Sequence, residues 1–559
     1  MPPLKPQAPA GRPAPGPGLQ RGRAGLWTWL GLFALALLWL VPLGTRALIT
    51  PDEGRYATLS LGMLHSGDWI TPRLNGLLYF EKPPLQYWGG ALAMAVLGVS
   101  DFSARLWSGL AGLLTLGLVG HTASRLWGER TGRIALLTGA GTTWLVLNSH
   151  FLSLDAGLCA ALTLALCGFL LGQQAQDQGR PRSGWMLAAW AGLALAVLSK
   201  GLVGLLIPGA VLVLHSLWRL DFRIWRAMRW GPGLLLFALI TVPWFWAVSA
   251  RNPDFAWFFF VHEHFDRYLK PDHNRSGPVW YFLPFLLLGF LPWTSALPWL
   301  ARVRRADFAP SFLLLWAGFV LLFFSISSSK LPSYILPMFP ALVLLLAPAI
   351  ERASQRALAW HLGLPALLWL GGGLAWLLAE RIAGSDSDPA VAHTLLNGIG
   401  LASGLFLSAC ALAWWLLRRN RRLLAVGVVA ISHCACVLIG LQAHNGYGLQ
   451  KSSAELVRAV PEAFDPAVPV YAVRSYDQTL PFYLRRPVTL VDYRDEFSFG
   501  EQHEPERWIA SLPEFVARWQ AEPRGVAYLE GDTLTELTAL GLQARVVLRD
   551  DRRVLLAKP

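Results

Sequence analysis

The sequence predicts a polytopic α-helical membrane protein that ends in a small soluble α/β domain. Three observations support this. Of 559 residues, 54% are hydrophobic and 15% charged, where a soluble domain carries about a quarter charged residues; mean hydropathy is +0.42. Apolar stretches of about 17–25 residues, long enough for a helix to cross a bilayer, recur along the chain. Past residue 442 they give way to short apolar runs between charged ones.

Residues 1–24 are rich in Pro and Gly, carry Lys5, Arg12, Arg21 and Arg23, and lack the apolar residues needed to fold. A disordered cytoplasmic tail is expected there. The apolar run that follows to residue 48 is too long for a signal-peptide core and ends without a small-residue cleavage site, so it reads as an uncleaved first span. Further spans are predicted near 102–124, 133–151, 155–174, 184–199, 201–218, 231–249, 278–299, 309–327, 331–349, 358–379, 395–417 and 423–442. The segment Tyr87–Val99 is shorter and suits a re-entrant or interfacial element. If it does not cross, Arg125, Arg130, Arg133, Arg219, Arg223, Arg302, Arg305, Arg352, Arg356, Arg418 and Arg422 all share the side of the basic N-terminus. The positive-inside rule makes that side cytoplasmic. If it crosses, these arginines fall outside, so 13 spans are preferred to 14.

The formal net charge of +13 is then largely an orientation signal. Basic residues scattered over short loops argue against a nucleic-acid-binding face. The five cysteines all fall within predicted spans, which implies packing rather than a disulfide framework. Cys434-Ala435-Cys436 has the wrong spacing for a metal knuckle.

Residues 443–559 alternate strand-like runs (468–474, 487–493, 525–530, 545–556) with helical patterns (452–460, 477–485, 512–520, 534–540). That alternation indicates a small α/β domain, with Asp550-Asp551 as a hairpin turn. Thirteen spans and an inside N-terminus place it outside the cytoplasm, in a structural or substrate-shaping role.

Ionisable residues gather on the same extracytoplasmic side. The loop 49–101 holds Asp52, Glu53, Arg55, Asp68, Arg73, Glu81 and Lys82; short turns hold Asp155 and Ser199-Lys200-Gly201. The loop 250–277 reads His262-Glu263-His264-Phe265-Asp266-Arg267-Tyr268, and Lys330-Leu331-Pro332-Ser333-Tyr334 follows the ninth span. Charges near hydrocarbon usually have a partner or a function, so five segments converging on one face predict a shared cavity. A transporter would place such charges deeper, near the bilayer midplane, whereas these span interiors are nearly free of them. The run from Tyr79 to Trp88 sets Glu81 beside Lys82 and stiffens the backbone with Pro83 and Pro84. It suits an anionic group held in the membrane. Asp52 and Asp155 are candidate site carboxylates, or helix N-caps; Glu53 reads as structural. His262 and His264 with Glu81 are a candidate divalent-metal site, or loop side chains hydrogen-bonding at the interface. Tyr79, Tyr87, Tyr268 and Tyr334 are placed to line a pocket, while most of the 27 Trp belong to interfacial belts and the core. The segment 53–65 reads as an interfacial helix with Tyr56, Leu59 and Met63 on one side.

Asp52-Glu53, Gly67-Asp68-Trp69, the Tyr79–Pro84 run, Asp155 and Ser199-Lys200-Gly201 resemble the protein-mannosyltransferase-type GT-C glycosyltransferases. Glu81-Lys82-Pro83-Pro84 with Arg55-Tyr56, the His262–Tyr268 loop and the Lys330–Tyr334 run are similar to bacterial 4-amino-4-deoxy-L-arabinose transferases acting on lipid A. The resemblance implies an inverting, inner-membrane enzyme active on the periplasmic side. It would use an undecaprenyl-phosphate-linked sugar donor and a lipid A acceptor, with no cofactor required and a divalent metal left open, since some GT-C enzymes use one and others do not. Developing phosphate charge would fall to Lys82 and Arg267, and the acceptor phosphate to Lys200 and Lys330; Asp52 and Asp155 would orient the donor, pair with its ammonium, or hold Lys200 and the substrate-binding candidate Arg55 in place. A sugar-hydroxyl acceptor would instead need Asp52 as a base. A sibling enzyme moving another polyprenyl-phosphate sugar, and a lipid flippase, are the competing readings.

Overall fold

The computed structural model describes residues 17–179, 184–266, 277–302, 305–378, 389–550 and 552–558. Among them, eight helical segments are long and apolar enough to cross a membrane: Asp101–Trp127, Leu154–Asp177, Trp230–Arg251, Phe308–Ile326, Pro332–Arg352, Gln355–Leu377, Pro389–Arg418 and Arg422–Ala443. Helices satisfy their own backbone polar groups, as hydrocarbon requires. The run expected near 278–299 is a bent pair, Phe282–Gly289 and Thr294–Arg302, meeting at 99°. Pro292, which has no N–H to give, lies in the break. The run near 133–151 divides at Thr142 into Glu129–Gly141 and Thr143–Ser149. The first expected span is the helix Pro17–Leu40, continued by a 3-10 turn Val41–Gly44, and two others are shorter apolar helices, Trp185–Lys200 and Val203–Arg219. The 87–99 segment is the 13-residue helix Leu85–Leu97.

Leu154–Asp177 is the central helix, since 94% of its apolar stretch is buried, against 11% for the peripheral Gln355–Leu377. Trp185–Lys200 packs backbone to backbone on the central helix. A Cβ on Gly192 would lie 2.5 Å from Ala165 N, and one on Gly168 2.9 Å from Ala189 N. Small residues permit that approach, and it brings Lys200 beside Asp155. All five cysteines are buried and free.

The first loop folds into helix Asp52–Ser66, a hairpin of β1 (Arg73–Leu74) and β2 (Leu77–Leu78), and Leu85–Leu97. Asn75 and Gly76 turn the hairpin with φ of 52° and 86°, the positive values a two-residue turn demands. The expectation of an interfacial helix at 53–65 is corrected: Tyr56, Ala57, Thr58, Leu59, Ser60, Leu61 and Met63 are all buried, on every side of the helix. The C-terminal domain covers the side that would face lipid headgroups. A Cβ on Gly54 would sit 2.5 Å from Thr479 N, so only glycine admits that backbone contact.

The C-terminal domain is a five-stranded sheet of β3 (Val470–Val473), β4 (Thr489–Val491), β5 (Val526–Leu529), β6 (Arg545–Arg549) and β7 (Val554–Ala557), in the order β4-β3-β5-β7-β6. The β3–β4 and β3–β5 pairs are parallel; β7 runs antiparallel to both β5 and β6. β3 to β6 lie within predicted runs and β7 passes the end of the last by one residue, while Asp550 N donates to Arg553 O at 2.9 Å to close the β6–β7 turn. The domain docks on the first loop through polar pairs. Asn75 donates to Val488 O (2.7 Å) and accepts from Val488 N (2.8 Å), and Glu504 binds Arg73 at 2.7 Å and Leu78 N at 3.0 Å.

Candidate active site

Asp52 and Glu53 open the same helix yet face different surroundings. Glu53 points inward to Arg105, and both side chains are fully buried. Arg105 places five N–H bonds: Nε on Glu53 Oε1 (2.6 Å), Nη2 on Glu53 Oε2 (2.7 Å) and Ala47 O (2.8 Å), Nη1 on Leu43 O (3.0 Å) and Arg46 O (2.7 Å). Glu53 also accepts from Leu152 N (3.0 Å) and Ile49 N (3.1 Å). Burial alone would raise the Glu53 carboxyl, but the Arg105 pair holds it below its usual range. The network ties the end of the first span, the loop helix, the second span and the turn before Asp155 into one block.

Asp52 turns the other way, into a cavity of about 260 Å³, many times the ~30 Å³ that one water occupies in the liquid. Asp52 Oδ1 meets Arg55 Nη1 at 2.8 Å, one helical turn on. Arg55 also pairs with Glu496, which the C-terminal domain lowers into the cavity wall. Burial pushes the Glu496 carboxyl up, and Arg55 offsets this only in part. Lys82 Nζ donates to Glu263 Oε2 (2.9 Å) and to Glu81 O (2.7 Å). Lys200 pairs with Asp155, whose backbone N–H bonds the N-cap Ser153 hydroxyl at 3.3 Å. The Lys200 ammonium sits 4.4 Å from the Tyr334 ring centroid, a cation–π contact. The cavity thus presents three cations, Arg55, Lys82 and Lys200, each steadied by a carboxylate. Its remaining wall includes Tyr56, Val203, Phe323, Phe324 and Tyr334.

Asp52, Asp155, Lys82, Arg55, Glu81, Lys200 and Tyr334 therefore meet at one cavity as the loops suggested. Three expectations are corrected. Lys330 does not reach the cavity lining; its ammonium is turned onto the carbonyls of Ser325 (2.9 Å) and Ser327 in its own loop. Tyr79 and Tyr87 are 2% and 0% exposed and lie behind the wall, where Tyr87 stacks on Tyr56 at 6.2 Å. Tyr56 is the tyrosine of that cluster that faces the cavity. Arg267 and Tyr268 lie outside the described residues, as does the side chain of His264. His262 packs against the Trp257 and Phe258 rings (6.2 and 5.1 Å), and among the described residues no three metal-ligating side chains gather. Glu263 and Glu496 were missed. The His-Glu-His run marked the first, whereas no local signal marks the second.

Residues 25–259 match the dolichyl-phosphate-mannose-protein mannosyltransferase family, and residues 456–558 match the aminoarabinose transferase C-terminal domain. With charged groups collected at helix ends under an α/β cap, the chain is a multi-pass membrane glycosyltransferase. The undecaprenyl phosphate-alpha-4-amino-4-deoxy-L-arabinose arabinosyl transferase of Pseudomonas aeruginosa is 33% identical over 521 residues, covering 89% of this chain and 91% of that one. Its Erwinia tasmaniensis counterpart is 34% identical over 389 residues, covering 67% and 69%. The crystal structure of ArnT from Cupriavidus metallidurans bound to undecaprenyl phosphate aligns with a TM-score of 0.90 at 37% identity, covering 95% of this chain and 98% of that one. The chain belongs to this aminoarabinose transferase family.

Proposed function

We propose that the protein transfers 4-amino-4-deoxy-L-arabinose from undecaprenyl phosphate to a lipid A phosphate, at the periplasmic face of a bacterial inner membrane. The observation that carries this reading is the cavity in which Arg55, Lys82 and Lys200 face one another at the ends of the helices, in a chain whose relatives bear that enzyme's name. The placement of the arginines on the opposite side supports the orientation.

In the reaction an acceptor phosphate oxygen forms a bond to the sugar C1, and the C1–O bond to undecaprenyl phosphate breaks. The bonding pair leaves on the phosphate, which gains one negative charge. Lys82 is suited to that charge. Two of its N–H bonds go to Glu263 and Glu81 O, and an ammonium has three, so one is left to aim at a phosphate oxygen. From the sequence, Arg267 is assigned the same developing charge. Glu263 acts as a positioning residue, because it fixes the ammonium before substrate arrives. Lys200, under Tyr334, is placed for the second phosphate. An acceptor phosphate is already anionic near neutral pH, so no general base is needed. Asp52 then serves to hold Arg55 and, with Glu496, to meet the cationic amino group of the sugar. Inversion at C1 follows the family resemblance.

The test is mass spectrometry of lipid A from a transferase-null Gram-negative host expressing the chain. Aminoarabinose on lipid A is expected with the native chain, and about 100-fold or more less with Lys82→Ala at equal expression. Unmodified lipid A in a host that makes the donor would overturn the acceptor assignment.

A further inference from the structure

A second charged cavity lies at the other end of the bundle, and nothing in the transfer reaction uses it. Its volume is about 410 Å³, and its lining includes Arg302, Arg352, Asp307, Trp127 and Trp299. The segment Pro332–Arg352 relates the two cavities. Tyr334 at one end lines the transfer site and Arg352 at the other lines this one. Tyr334 to Met338 is 3-10 helix at about 2.0 Å per residue and Phe339–Arg352 α-helix at about 1.5 Å, which separates them by about 29 Å, close to the ~30 Å thickness of a bilayer's hydrocarbon core. The cavity therefore sits at the opposite membrane surface, at headgroup depth.

Its electrostatics are unusual for this protein. At the transfer site each cation has a carboxylate partner. Here the Arg302 and Arg352 side chains are exposed and make no ion pair or hydrogen bond among the described residues. The carboxylate adjacent in sequence, Glu351, is engaged by the Thr131 hydroxyl, and its backbone carbonyl takes Arg422. Among the described residues Asp307 is the only acidic side chain in the lining, so the described wall carries two positive charges to one negative. Trp127 and Trp299 are partly buried against the core, at the depth where indoles mark the headgroup layer. Trp299 also borders an apolar crevice lined by Pro292, Ala296, Leu358, Leu362 and Val426. Guanidinium groups above, indole walls and an apolar floor together fit an amphiphile with a phosphate head.

We propose that this cavity binds an anionic glycerophospholipid, its phosphate held by Arg302 and Arg352 and an acyl chain entering beside Trp299. Basic pockets between helices at a membrane surface take such headgroups, and the attraction per arginine is worth about fivefold in affinity.

The test uses the purified full chain in detergent with phosphatidylglycerol, phosphatidylcholine or inorganic phosphate added. Native mass spectrometry reads retained lipid and a thermal melt reads stabilisation. Phosphatidylglycerol should be retained and should raise the melting midpoint, with phosphatidylcholine and phosphate ineffective. The double variant Arg302→Gln/Arg352→Gln should bind phosphatidylglycerol about thirtyfold more weakly, while Arg223→Gln/Arg226→Gln, the same charge loss elsewhere, should leave retention unchanged. Asp307→Asn removes the opposing charge and should strengthen retention, a readout that does not depend on the double variant folding. Equal retention of phosphatidylcholine, stabilisation by phosphate alone, or unaltered binding by the double variant would each overturn the proposal.

Discussion

Two adjacent carboxylates, Asp52 and Glu53, are predicted to fail in opposite ways. Glu53→Gln keeps the shape of the side chain but leaves the fully buried Arg105 guanidinium without its counter-charge. Breaking a buried pair from one side costs about 3–5 kcal/mol, because the remaining charge stays desolvated. Here nothing replaces it, since the other three acceptors of Arg105 are neutral carbonyls. A loss of that size should lower the melting midpoint of the detergent-purified chain by about 5 °C. Well below its midpoint the variant should retain most of its transfer activity, because Glu53 does not line the cavity. Asp52→Asn should do the reverse, melting with the native protein and losing transfer, because Asp52 faces the cavity and holds Arg55. The pH dependence has a definite sign. The Glu53 carboxyl is held below its usual range, so its contribution to stability is complete at neutral pH. It is lost only as pH falls below the ordinary glutamate range, through the depressed folded-state value. A Glu53→Gln protein that melts with the native one, or an Asp52→Asn protein that unfolds early, would refute this division of labour.

Lys200→Met is expected to raise the KM for the lipid A acceptor about tenfold or more, as loss of a charge-assisted contact does; Lys330→Met should leave KM unchanged and lower thermal stability, since its ammonium caps only Ser325 and Ser327. Burial pushes the Glu501 carboxyl up to about 7, so between its unfolded value and pH 7 the unfolded chain ionises first and stability falls as pH rises. Glu501→Gln should therefore stabilise the protein by about 1–2 kcal/mol at pH 8 and by nothing at pH 4, read from melting curves. Exhaustive chelation should leave transfer within about twofold, because Arg55, Lys82 and Lys200 already supply the cations that a leaving phosphate needs. Activity that vanishes and returns with a divalent ion would reverse that expectation and implicate Glu81 and His262.

Much of the site was legible in the chain because the membrane sorts residues by polarity. Holding Arg55 and Lys200 was one of the roles the resemblance implied for Asp52 and Asp155, and the structure pairs them so. The strands of the C-terminal domain were legible from alternating local patterns. Lys330 was misread because a loop lysine serves a phosphate or its own carbonyls with the same sequence signature. Tyr79 and Tyr87 were misread because an aromatic beside a charged pair faces the pocket or backs it, according to which way its helix or turn is rotated.

Composition and charge by themselves determined that this is a multi-pass membrane protein with its ionisable groups at the helix ends, since hydrocarbon tolerates little else. Only the tertiary structure decided which of those groups share a cavity. Glu496 reaches Arg55 because the C-terminal domain docks on helix Asp52–Ser66 at Gly54 and on the β1–β2 hairpin at Asn75. Glu263 reaches Lys82 because the two loops that carry them close over the same helix ends. Periodicity reports the surroundings of one element at a time, whereas a charge pair between distant segments is settled by how whole elements pack. That packing is long-range, and no short window of sequence contains it.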